Sequence, residues 1–111
     1  MKRIVLGLLA ATAMSASAWA ADIKPAIIYD LGGKFDKSFN ESAYTGAEKF
    51  KAESGIDYRD FEIQNDAQRE QALRKFAEDG NNPIVMAGFS WAAALEKVAT
   101  EFPDTKFAII D

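Results

Sequence analysis

Four short apolar runs alternate with three helical patterns along this chain, and this alternation most constrains its fold. The runs predict strands over residues 24–29, 57–63, 83–87 and 106–110. The segments between them repeat their apolar residues at helical spacing. Strands that alternate with helices predict an α/β fold with a parallel sheet, in the order β-α-β-α-β-α-β. The second run is the least apolar of the four, so we expect it at an edge of the sheet.

The first residues have the three parts of a secretory signal. Lys2 and Arg3 precede an apolar run, and Ala18 and Ala20 supply the small residues that signal peptidase reads. Residues 1–20 are therefore predicted to be a cleavable signal peptide that directs the protein to the periplasm. No cysteine follows the cleavage site, so we expect a freely diffusing protein without a lipid anchor.

The remaining residues, 21–111, are predicted to be the N-terminal portion of a longer protein, which the resemblance described below identifies as part of an N-terminal lobe. The printed sequence has no helix after its last strand, so we expect one face of that strand to be uncovered. A chain of this size also buries a smaller share of its surface than a full domain does.

Composition excludes several functional classes. The chain has 13 Lys and Arg against 17 Asp and Glu, without a basic run, which argues against nucleic-acid binding. It has no His and no Cys, so the usual zinc and copper ligands are missing, as are the residues of a Ser-His-Asp triad or a Cys-His pair. We therefore expect no metal and no cofactor, and only carboxylate, Lys, Ser or Tyr chemistry would remain open to an enzyme.

Polar and aromatic residues follow the predicted strands where a ligand would bind. The first strand ends at Asp30, and Phe39 and Asn40 begin the helix that comes next. Phe89 and Asp111 follow the third and fourth strands. Because ligands bind at the carboxyl ends of strands in open α/β sheets, these five residues predict a small-molecule site.

Each of these residues also has a structural interpretation. The segment from Ser38 to Glu41 has the pattern of a capping box, and Asp36 fits a turn or cap residue. Phe39 fits the inward face of its helix, and Asp111 could be a polar strand end. Trp91 is expected to pack in the core or at a hinge.

The run from Asp30 to Gly46 (DLGGKFDKSFNESAYTG) resembles the opening signature of the basic membrane protein (Bmp/Med) family. Gly88-Phe89-Ser90 and the segment 102–111 are similar to later parts of the same family. These proteins are substrate-binding subunits of ABC transporters. The resemblance implies a type I periplasmic binding protein, in which two α/β lobes enclose a ligand, commonly a purine nucleoside.

The resemblance also implies residue roles. Phe39 would stack on the base, Asn40 and Asp111 would hydrogen-bond to its edges, and Asp30 would line the pocket, with Phe89 nearby. The implied partners are the permease and ATPase subunits of the transporter. Alternatives are another heterocycle, a sugar or an amide as ligand, or a truncated remnant without function. An enzyme that binds nucleotides is disfavoured, because the first turn lacks the Gly-x-Gly-x-x-Gly pattern.

Overall fold

The computed structural model describes residues 23–111, so the predicted signal peptide lies outside the described residues. Within them, four strands form one sheet in the order β2-β1-β3-β4, and each neighbouring pair is parallel. The elements are β1 (Ala26–Tyr29), α1 (Phe39–Ser54), β2 (Arg59–Glu62), α2 (Gln68–Glu78), β3 (Ile84–Ala87), α3 (Ala92–Ala99) and β4 (Phe107–Ile110), with a 3-10 turn over Phe89–Trp91. The predicted α/β class, the element order and the edge position of β2 are confirmed.

The core lies between the sheet and the pair α2 and α3. Side chains from alternate positions of β1 and β3 pack there against apolar residues of the two helices. Fully buried members are Ile28, Leu73, Ile84, Met86, Trp91 and Val98. Burying one large apolar side chain contributes about 1.5–3 kcal/mol, so this cluster is the main stabilising element of the fold. The prediction that Trp91 packs in the core is confirmed.

The opposite face of the sheet is covered less completely, by α1 alone. Two rings of this helix, Phe39 and Phe50, remain 43% and 39% exposed. They border an apolar cleft of about 620 Å³ whose floor includes Ile27 and Val85, and Ile110 of β4 lines it as well. The expected uncovered face of the last strand is therefore present.

The start of α1 differs from the sequence expectation. The helix begins at Phe39, and the Ser38 side chain makes no capping hydrogen bond. The carboxylate of Asp36 instead accepts hydrogen bonds from the backbone N–H groups of Ser38 (2.9 Å), Asn40 (3.3 Å) and Glu41 (3.1 Å). The capping-box interpretation was wrong, because Lys37 turns the chain with a left-handed φ of 57° and Asp36 reaches the free helix end first. The interpretation of Asp36 as a cap is confirmed.

Those hydrogen bonds also affect the acidity of Asp36. Partial desolvation favours its neutral form, but the three backbone N–H donors outweigh this effect and hold the pKa of the carboxyl below its usual range. At the other end of α1, Gly55 adopts the predicted left-handed conformation (φ 72°), and its N–H donates to the Lys51 carbonyl.

Candidate functional site

The carboxyl ends of β1, β3 and β4 lie side by side, because these three strands are parallel neighbours. Asp30, Phe89 and Asp111 follow them and so share one edge of the sheet, called here the rim. Two hydrogen bonds join the turn after β3, called here the β3 turn, to the end of β4. The Gly88 N–H donates to the Ile110 carbonyl (2.8 Å), and the Phe89 N–H donates to Asp111 Oδ1 (3.2 Å). The sequence thus correctly indicated which strand ends meet.

Asp30 is held in one orientation at the rim. Its Oδ1 accepts hydrogen bonds from the Leu31 N–H (2.8 Å) and from Arg69 Nη2 (2.6 Å). Its Oδ2 lies close to Gly88, where an added Cβ would come within 2.6 Å of it. Gly88 also has a φ of 104°, so a side chain at this position would be strained as well as crowded. A glycine is required where the carboxylate meets the β3 turn.

Asn40 is buried beneath the loop between β1 and α1. It is 2% exposed, and its Oδ1 accepts the Asp30 N–H (3.0 Å), while its Nδ2 donates to the carbonyls of Asp30 and Leu31 (both 3.2 Å). Both amide protons are therefore used within the protein. The structure gives Asn40 a clear role in fixing the loop, and its predicted contact with a ligand stays a prediction.

The aromatic part of the site is exposed. Phe39 lies at the first position of α1, beside the rim, and lines the apolar cleft together with Asp111. Phe89 projects from the 3-10 turn after β3 and is 71% exposed. Two rings and a carboxylate are thus available to a molecule at this edge, and an exposed ring can stack on a flat heterocycle.

Sequence reasoning missed Arg69. This side chain is only 7% exposed, and its guanidinium lies 4.9 Å from the centroid of the Trp91 ring. Its Nη2 reaches both Asp30 and Asp66 Oδ1 (2.9 Å), and its Nε also donates to Asp66 (3.2 Å). The sequence did contain a signal that Arg69 is buried. Arg69 lies three and four residues before Ala72 and Leu73, which places it on the inward face of the same helix.

A second polar cluster ties the glycine turn to β2. Lys34 Nζ donates to Asp60 Oδ2 (2.9 Å), which raises the pKa of the lysine. The buried Tyr29 hydroxyl lies 3.5 Å from the same carboxylate, and burial raises its pKa. The Lys34 N–H donates to Glu62 Oε1 (2.8 Å). Since these charges bind one another, the cluster supports the loop between β1 and α1.

Two further observations apply to residues 23–111. No group of three or more acidic side chains in this range is arranged to hold a metal ion. No helix in the described part of the chain has the length and apolar character needed to cross a membrane.

The α/β fold is shared with solute-binding proteins of ABC transporters, as comparison with known proteins shows. Residues 23–111 match the Bmp family, described as ABC transporter substrate-binding protein PnrA-like. The chain belongs to this family. Solved structures agree: a solute-binding protein of an ABC transporter system from Aeropyrum pernix K1 is 38% identical, with a TM-score of 0.75 over 80% of this chain and 24% of that one.

Two other relatives show the range of the family. An uncharacterized lipoprotein of Pyrococcus furiosus is 33% identical over 97% of this chain and 27% of its own length. The ABC transporter nucleoside-binding protein BmpA of Lactococcus lactis is 29% identical over 81% of this chain and 27% of its own. The chain spans about a quarter of the length of the curated relatives it matches.

Proposed function

We propose that this protein captures a nucleoside-type ligand, a purine nucleoside, for uptake by an ABC transporter. The observation that carries the proposal is the exposed Phe39 ring, which lines the apolar cleft together with Asp111 at the end of β4, while Arg69 holds the carboxylate of Asp30 at the end of β1. Stacking on an aromatic side chain contributes about 1–3 kcal/mol per base. Carboxylates accept hydrogen bonds from ring N–H and amino groups, which adds discrimination. The name of the Lactococcus lactis relative, a nucleoside-binding protein, supports this ligand class.

The rim residues of 23–111 provide one side of such a site. A ligand gains most when the protein encloses it, and a single open rim leaves the other face of the base in water. Residues 21–111 alone should therefore bind a nucleoside negligibly, and the permease and ATPase subunits would be partners of the longer protein. Export to the periplasm through cleavage near Ala20 belongs to the same proposal.

The test compares two phenylalanines of α1 in the longer protein to which residues 21–111 would belong. Inosine binding is measured by calorimetry for the wild type, for Phe39→Ala and for Phe50→Ala. Both rings are similarly exposed and both line the cleft, but Phe50 lies three turns from the rim, about 16 Å along the helix. Phe39→Ala should weaken binding about 10- to 100-fold, the equivalent of the stacking energy. Phe50→Ala should change it less than about threefold.

Equal losses in the two variants would contradict a stacking role for Phe39. A protein that binds glucose but no nucleoside would contradict the ligand class. We also propose that the ligand is released unchanged, so inosine recovered after incubation should be intact. Hypoxanthine or free ribose in the recovered sample would instead indicate an enzyme.

A further inference from the structure

Arg69 is the residue of the rim that the proposed function leaves unexplained. It lies in the first turn of α2, where a positive charge opposes the helix dipole. Its Nη1 and the neighbouring Trp91 Nε1 are both buried without a hydrogen-bond partner among the described residues. A buried charge with an unpaired donor is costly, and an apolar side chain could pack at such a position with less strain. The stability of the fold therefore does not account for an arginine here.

The effect of Arg69 on Asp30 offers an explanation. Its guanidinium occupies Oδ1 of the carboxylate at 2.6 Å, so Oδ2 is the oxygen left to accept a bond from a ligand. Arg69 also binds Asp66, but Asp66 has a side chain that is 79% exposed and whose charge is screened by water. The positive charge of Arg69 therefore acts mainly on Asp30, which is partly buried.

We propose that Arg69 is a positioning residue that makes the rim favour uncharged heterocycles over cationic ones. Without it, the partly buried carboxylate of Asp30 would attract a cation by Coulomb attraction. With it, the carboxylate acts as a hydrogen-bond acceptor whose charge is largely balanced. This inference rests on the proposed function, since it concerns the selectivity of the same site.

The experiment measures a ratio of affinities in the longer protein to which residues 21–111 would belong. Adenosine and 1-methyladenosine are matched probes, because the second carries a positive charge at neutral pH. Wild type, Arg69→Met and Arg69→Lys are compared by calorimetry. Arg69→Met should shift the ratio about tenfold toward 1-methyladenosine, the order expected when one charge near the ligand is removed. Arg69→Lys keeps the charge and should restore most of the wild-type ratio.

Arg74→Met is the control variant. Arg74 lies on the same helix and makes two hydrogen bonds of 2.7 Å to Glu101, away from the rim. It should leave the ratio unchanged. Where Arg69→Met does not fold, Arg69→Gln takes its place, because its amide can still donate to the Asp30 carboxylate without carrying a charge. The ratio should again shift toward the cation.

The outcomes separate this inference from the proposed function. Wild-type binding of adenosine with an unchanged ratio in Arg69→Met overturns the selectivity role and leaves the function standing. An equal loss for both probes shows a purely structural arginine and overturns the inference too. Binding of no nucleoside by the wild type overturns the proposed function, and the selectivity role falls with it.

Discussion

Replacing Asn40 should loosen the loop that carries Asp30. The Asn40 amide makes three hydrogen bonds to backbone atoms of Asp30 and Leu31, and it is almost fully buried. Asn40→Ala removes all three at once. The free backbone groups must then find other partners or remain unpaired, so we expect lower stability and a more mobile Asp30.

The magnitude follows from which groups water can reach. The backbone N–H of Asp30 faces the buried amide, and leaving it unpaired costs about 1–3 kcal/mol. The Asp30 carbonyl still accepts the Gly33 N–H (3.3 Å), and Leu31 is exposed, so water can replace the bond to its carbonyl at small cost. The expected loss is about 1–3 kcal/mol, a sizeable part of the stability of a domain of this size.

Urea unfolding of the full chain, followed by circular dichroism, measures this loss. Asn40→Asp is the second variant to measure. Its carboxylate can still accept the Asp30 N–H, but an oxygen replaces the amide NH₂ group that donates to the carbonyls of Asp30 and Leu31. It should be at least as destabilising as Asn40→Ala. Ser42→Ala is the control, since Ser42 is an exposed residue of the same helix that bonds only the Ser38 carbonyl. A loss below about 0.5 kcal/mol for Asn40→Ala, equal to that of the control, would refute the argument.

Three further predictions concern the same region and the location of the protein. The stabilisation from Asp36 is present above the ordinary carboxyl pKa and disappears as pH falls through the lowered pKa of the folded state. Asp36→Asn should therefore flatten the acid limb of the stability profile below the ordinary carboxyl pKa, and an unchanged slope in urea titrations would contradict this. Gly88→Ala should lower the stability measured by thermal unfolding by about 1–3 kcal/mol, because of the positive φ of Gly88 and the nearby Asp30 carboxylate. The control Gly46→Ala, which has open space around it, should be neutral or slightly stabilising. Fractionation of the host should find the protein in the soluble periplasmic extract, although several relatives are named lipoproteins; recovery in the membrane fraction would contradict the prediction of no lipid anchor.

The sequence was sufficient for the architecture because its signals are local. Apolar runs, helical spacing and the left-handed Gly55 each depend on a few neighbouring residues, and the parallel order of strands then determines which strand ends meet. The cap of α1 was misassigned because it depends on the backbone conformation of Lys37, which the pattern of residue types does not reveal. The bond between Arg69 and Asp30 joins residues 39 positions apart, and no periodicity reports such a contact.

The rim combines two kinds of group, and their difference bears on how a ligand would bind. The polar groups are already held by the protein: Arg69 and the Leu31 N–H fix the carboxylate of Asp30, and Asn40 fixes the loop. The aromatic groups, Phe39 and Phe89, have no such restraint and expose their faces. In the proposed function, a ligand would meet hydrogen-bond acceptors that the protein has already ordered, which requires little further entropy, and would gain its contact area from the two rings. The acceptors would then determine which edge of a heterocycle is recognised, and the rings would determine how tightly a flat molecule is held.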